Sequence, residues 1–167
     1  MPPNPNCAPV GPKIGDLVQL VPIVFGGSFE NTVDTAFVAS TRSLVNKLIL
    51  DIGNPSPSLV APALNMAVRK SGRTTGFTTG TITTINTTIN VNYGVSCGIA
   101  RFVGQIGITP GSFSDAGDSG SPIRSSLKDS SNRFRPVGLL FAGSSTTTFA
   151  NRLSDVLGAL GSVMDTP

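Results

Sequence analysis

The stretch DAGDSGSPI, residues 115–123, places Ser119 directly after an acid and between Gly117 and Gly120. Enzymes present a nucleophilic hydroxyl in this way, because glycine lets the backbone turn sharply and come close to a substrate. A serine hydroxyl is a weak nucleophile until a base takes its proton, and that base is most often histidine. The chain of 167 residues contains no histidine. An Asp-Ser-Gly run is also a common turn, so the motif needs support from the rest of the sequence.

Composition narrows the classes that such a loop can belong to. A hydrophobic content of 39% over 167 residues is enough for one or two small domains with a real core. The formal charge of +3 comes from 12 basic and 9 acidic residues spread along the chain. Without clustered Lys/Arg and stacking aromatics, nucleic acid is not an expected partner. The 19 glycines and 13 prolines, with long Thr/Ser/Val/Ile runs, favour short strands and tight turns, so an all-β fold is expected. The opening MPPNPNCAPVGPKIGDL has neither the apolar core of a signal peptide nor a membrane-spanning run, so no membrane partner is expected. No cofactor and no metal are expected. Cys7 and Cys97 are two thiols far apart in sequence, and whether they pair is left open.

Along the chain, residues 1–15 read as a Pro/Asn-rich arm, LVQLVPIVFGG (17–27) as a buried strand, and NTVDTAFVAS (31–40) as a turn leading into a second strand. Two strands cannot make a stable sheet alone. The segment 46–63 passes through a Pro/Ser stretch and reads as a connector. This divides the chain into an arm with a partial unit over 1–45, the connector, and a β unit over 64–167. In that last unit Ile85, Ile89, Val91 and Tyr93 lie on odd positions, whereas Ile82 lies on an even one. A switch of phase near Thr83 and Thr84 implies a bulge that re-aims the strand, a device of small barrels. Phe102, Ile106 and Ile108 alternate ahead of the serine loop, and RPVGLLFAGSS (135–145) supplies a buried strand after it. Leu153, Val156, Leu157, Leu160 and Val163 recur at helical spacing, which predicts a helix over 153–163 capped by Ser154. A closed six-stranded antiparallel barrel over 64–152 is the expected architecture.

The blocks VRKSGRTTGFTTGTI, ARFVGQI, DAGDSGSPI and PVGLLFAGSSTTTFAN, followed by an amphipathic helix, resemble in order and spacing the second barrel of a trypsin-like, chymotrypsin-fold serine peptidase of the bacterial kind. The resemblance covers 64–162 well, while NTVDTAFVAS resembles the segment that bears the family's catalytic aspartate. It implies that Ser119 is the nucleophile and Asp34 the orienting acid of the triad. It implies an oxyanion hole from the N–H groups of Gly117 and Ser119, with Asp118 shaping that loop. Phe141, Ala142 and Gly143 would line the substrate cleft and hydrogen-bond an extended peptide, and Phe113 and Ser114 would floor the primary pocket. Neither floor residue brings a carboxylate, which implies a small or apolar preference unless Asp115 points inward. A peptide or protein is the implied substrate.

The departure from the family is the base. The family carries its histidine upstream of the aspartate, in a first barrel of which this sequence retains a remnant. A missing segment explains the absence better than replacement within an intact enzyme. The expected function is therefore that of a truncated trypsin-like serine endopeptidase, inactive alone, whose possible partner is the missing first-barrel segment. The alternative is a peptide- or surface-binding protein on a peptidase barrel. A third reading gives the base role to Lys70 or Lys128, neither of which has the short spacing of serine-lysine dyads. The Asn86-Thr-Thr sequon reads as a strand.

Overall fold

The structure, a computed structural model, describes residues 13–26 and 28–164. Most of the Pro/Asn-rich arm, with Cys7, lies outside the described residues, and with it any pairing of Cys7 and Cys97. In chain order the elements are β1 (Asp16–Leu20), β2 (Glu30–Asn31), β3 (Ala36–Ala39), β4 (Ala67–Gly72), β5 (Gly76–Asn92), β6 (Ile99–Thr109), β7 (Pro122–Lys128), β8 (Phe134–Gly143), β9 (Thr148–Arg152) and α1 (Leu153–Leu160).

Six strands close on themselves through antiparallel pairs: β4 with β5, β5 with β6, β6 with β9, β9 with β8, β8 with β7 and β7 with β4. The 17-residue β5 makes this closure possible. Its first part pairs with β4 and the remainder with β6, and the register slips between Ile82 and Thr84, between Thr84 and Thr87, and between Thr87 and Ile89. These slips fall where the hydrophobic phase switches in the sequence. Asn86 takes a left-handed φ of 55° there, a conformation that asparagine tolerates better than most residues.

Inward-facing Val68, Ile82, Ile106, Ile108, Ile123 and Val137 fill the barrel, joined by Phe113 from the loop after β6. Each such side chain contributes roughly 1.5–3 kcal/mol by leaving water. A second cluster forms outside the barrel, where Leu153 and Val156 of α1 meet Val33, with Val21, Leu59 and Leu139 around them. The helix thus ties the N-terminal segment and the connector to β8. Backbone bonds from Ser56 to the Phe134 carbonyl (3.2 Å) and from Val60 to the Pro136 carbonyl (3.0 Å) hold the connector along that strand.

The helix ends at Leu160, earlier than the periodicity to Val163 suggests. Gly161 adopts a left-handed φ of 59°, and the N–H of Ser162 returns to the Leu157 carbonyl at 2.9 Å, a glycine-terminated C-cap. The cap position is Arg152, not Ser154, whose hydroxyl instead donates to the neighbouring Asp155 carboxylate at 3.0 Å.

β1 departs from the expected buried strand. It pairs only with β3, and every residue of both strands is exposed. A ribbon of two strands has no third layer to cover its faces, so Leu17 remains 59% and Phe37 45% exposed. The chain between them is better anchored. The Asn31 amide donates to the carbonyls of Val24 (2.8 Å) and Arg101 (3.0 Å), which docks β2 parallel to the start of β6.

Candidate active site

The site begins with two glycines and a buried ion pair. The hairpin between β4 and β5 turns through Arg73–Thr75 and delivers its N–H groups to Asp118. Asp118 Oδ1 accepts from the N–H of Thr74 (2.7 Å) and Thr75 (3.2 Å), while Oδ2 accepts from the Thr75 hydroxyl (2.7 Å) and the Asp115 N–H (3.1 Å). Lys70, also fully buried, places its ammonium 3.1 Å from Oδ2. Its remaining protons go to the Thr75 hydroxyl and the Gly76 carbonyl. Burial pushes the Asp118 pKa up, but these hydrogen bonds outweigh it and hold the carboxyl well below the usual carboxylate range. Glycine is required at 72, where a β-carbon would collide with the Asp118 carboxylate. Gly117, at a φ of 98°, takes a backbone conformation closed to most side chains.

This anchoring pins the loop from inside and turns Ser119 out to solvent. On the other side, β8 holds the loop through Gly120 N–H to the Leu140 carbonyl (2.8 Å) and Leu140 N–H to the Ser121 carbonyl (3.1 Å). Ser119 Oγ makes one long hydrogen bond, 3.4 Å to the Phe141 carbonyl. The N–H groups of Gly117 and Ser119 find no acceptor among the described residues. Gly117 and Ser119 are both exposed and flank the buried Asp118.

Two cavities meet at Ser119. One, of about 620 Å³, is lined by Ser114, Asp115, Ser119, Phe141, Ala142 and Gly143 among others. The second, of about 530 Å³, is lined by Asp34, Tyr93, Ser119, Leu139 and Phe141. Asp34 is placed by a chain of amides. Its N–H donates to Asn151 Oδ1 (3.1 Å), the Asn151 amide donates to Gln105 Oε1 (2.8 Å), and the Gln105 amide donates to the Thr32 carbonyl (2.9 Å). The Tyr93 hydroxyl donates to Asp34 Oδ2 at 2.5 Å. Burial, then the Asp34 hydrogen bond and charge, push the Tyr93 pKa well above that of a free phenol.

Asp34 and Ser119, 85 residues apart by their numbers (119 − 34), therefore share one cavity wall. Ser114, Ala142 and Gly143 lie on the other cavity, with the Ser114 hydroxyl 2.6 Å from that of Thr148. Phe113 lies elsewhere: its ring belongs to the barrel core and lines neither cavity, because the short helical turn before Ser114 rolls it inward. Asp115 does border the larger cavity and is exposed there. Lys70 is committed to Asp118, and Lys128 donates to Asn132 Oδ1 (2.8 Å) at the end of β7; neither lines a cavity with Ser119.

Sequence reasoning missed Tyr93 and the Lys70–Asp118 pair. The signal for the pair was present: Lys70 follows Val68 at strand spacing, so it occupies an inward position where a charge needs a buried partner. Among the described residues no cluster of His, Cys, Asp and Glu could hold a metal ion, and no helix is long and apolar enough to cross a membrane.

No protein-family model and no curated protein sequence matches the chain. Solved structures do. Cellulomonas bogoriensis chymotrypsin is similar at 27% identity and a TM-score of 0.63, over 85% of this chain and 74% of that one. The Nocardiopsis protease matches over 93% of this chain and 81% of its own at 21% identity and a TM-score of 0.65. Thermobifida fusca protease A matches at 22% identity and a TM-score of 0.60, over 82% and 70%. The fold is thus the trypsin-like, chymotrypsin fold of bacterial serine proteases.

Proposed function

We propose that this chymotrypsin-fold chain carries the nucleophile and oxyanion half of a serine endopeptidase, and is inert alone for want of a base. The observation that carries the reading is the pair of unsatisfied N–H groups at Gly117 and Ser119, beside an exposed Ser119 hydroxyl at the junction of two cavities. In the reaction, Ser119 Oγ attacks a peptide carbonyl while a base takes its proton. Those N–H groups hold the oxyanion that forms, and the acyl-enzyme is released by water. An extended peptide lies along Phe141, Ala142 and Gly143 at the edge of the larger cavity. Asp34 orients the base and stabilises its charged form. These 167 residues contain no histidine, so the base would come from a histidine-bearing first-barrel segment. The exposed ribbon of β1 and β3 offers such a segment an apolar face.

Labelling by a fluorophosphonate tests this reading. The chain alone should label slowly, and adding a histidine-bearing first barrel, fused or in trans, should restore labelling that Ser119→Ala abolishes. Failure to label in the restored complex would favour a peptide-binding protein that retains only the cleft.

A further inference from the structure

The outer face of the seam between β4 and β7 gathers cations that lie far apart in the sequence. Arg69 and Arg124 are direct cross-strand partners, and Ser126 and Lys128 follow Arg124 at alternate positions of β7. Like charges directly opposite each other destabilise a sheet unless something offsets them. Among the described residues no carboxylate pairs with either guanidinium. Asp129, in the turn between β7 and β8, is taken by Arg133 at 2.9 Å and by the N–H groups of Ser131 and Arg133.

Arg124 is the more enclosed of the two. It is 2% exposed, and its acceptor is the Phe134 carbonyl, 3.1 Å from Nη1, which also accepts from the Ser56 N–H. Burial without a counter-charge pulls its pKa down to about 10. Arg69 lays its guanidinium 4.0 Å from the Phe134 ring centroid and donates to the Ser126 hydroxyl at 3.2 Å. The Nε–H of both arginines is enclosed and has no acceptor. Lys128 adds a third cation, 4.6 Å from the centroid of the same ring. Two guanidinium forks with donors to spare call for negative charge and several lone pairs together. An oxyanion supplies both, and its geometry matches the planar fork.

We propose that Arg69 and Arg124 form a binding site for an oxyanion, a phosphoryl or carboxylate group, on the outer face of the β4–β7 seam. The site does not depend on the peptidase reading. Arg69 and Lys70 are successive residues of β4, so their side chains leave opposite faces, and it is Lys70 that meets Asp118. Arg69 is the movable member, held by a ring face and one hydroxyl, and it closes over an ion seated against Arg124. The bound ion offsets the cross-strand repulsion and stabilises the folded chain.

Calorimetric titration with inorganic phosphate and, separately, with acetate tests the site, at neutral pH and constant ionic strength in chloride. The unaltered chain should bind one ion at concentrations on the order of millimolar or below, and the tighter of the two identifies the group the site is built for. Arg69→Met and Arg124→Met should each weaken that binding by about 10-fold or more, the scale of a charged hydrogen bond. Arg124→Lys keeps the charge without the fork and should also weaken it. Lys13→Met, which removes a cation from the N-terminal segment, should not. Because Arg124→Met takes an uncompensated charge out of the interior, its urea midpoint without phosphate should be no lower than that of the unaltered chain. Phosphate should raise the midpoint of the unaltered chain to a plateau, and that rise should be lost in Arg69→Met. Binding of neither anion would overturn the proposal, as would affinities unchanged in both methionine variants. So would a stabilisation that climbs without a plateau, which is what general exclusion of salt from the surface gives. None of these readouts involves Ser119, so failure of the peptidase reading would leave the site standing, and the converse.

Discussion

Lys70 and Asp118 face each other at 3.1 Å with no solvent access to either side chain, so the serine loop is anchored by a charge pair in the barrel wall. Taking two charges out of water costs several kcal/mol per ion, and here the remaining protons and lone pairs are met by Thr74, Thr75, Gly76 and Asp115. A pair of this kind contributes position more than net stability. It holds Gly117 and Ser119 in one arrangement, their N–H groups without an acceptor among the described residues.

Breaking the pair from one side should be far worse than removing it whole. Lys70→Met leaves a buried carboxylate without its cation, and should destabilise the chain by about 3–5 kcal/mol. Asp118→Asn should be costly for the converse reason. The double variant should cost clearly less than the sum of the two, which urea unfolding of all four proteins measures. Additive losses would mean that the two charges do not interact.

The same carboxylate makes an acid limb. Its folded pKa is depressed relative to an unfolded value of about 3.9, so its contribution to stability is present above that value and is lost as pH falls below it. Unfolding followed between neutral pH and about pH 2 should show stability declining through the acid range. The decline should be shallower in the Lys70→Met/Asp118→Asn protein, which lacks both the carboxylate and its buried cation.

Tyr93 supplies a limb at the other end. Its phenol is held neutral by burial and by the Asp34 carboxylate, so phenolate absorbance should show little ionisation at pH 10, where a free tyrosine is about half ionised. The sign for stability follows: a raised folded pKa gives a contribution complete below the unfolded value and lost as pH rises past it. Asp34→Asn should bring the phenol back toward its ordinary value. A normal titration in the unaltered chain would place Tyr93 away from Asp34.

How far these relationships could be read beforehand depends on the distance over which they act. The barrel was legible because side-chain phase is local: Ile82 against Ile85 and Ile89 marks the bend in β5, and Phe102, Ile106 and Ile108 mark one inward face. The serine loop was legible because its glycines are a backbone requirement, as the φ of 98° at Gly117 illustrates. Burial in β1 was misread because an apolar run reports what a strand could bury, not whether a neighbour exists to bury it. Ser154 lost the cap to Arg152 by geometry rather than composition. The Tyr93 contact with Asp34 spans 59 residues, and no periodicity within either segment points to the other.

The ribbon of β1 and β3 yields a last prediction, which separates a surface awaiting a partner from a surface of no consequence. Leu17 and Phe37 are more exposed than covered or nearly so, at 59% and 45%, and they belong to neither core cluster. Substitutions at such positions usually shift stability by no more than about 0.5 kcal/mol. Leu17→Ser and Phe37→Ser should therefore leave the unfolding midpoint of the isolated chain almost unchanged and reduce its tendency to associate. If this face receives a histidine-bearing segment, the same two variants should weaken the recovery of Ser119 labelling by that segment. They line neither cavity at the serine, so the loss should appear as a higher segment concentration for half-recovery with the maximal rate preserved. A loss of more than about 2 kcal/mol in the isolated chain would instead show the ribbon packed within the molecule. Unchanged recovery would move the segment to another face.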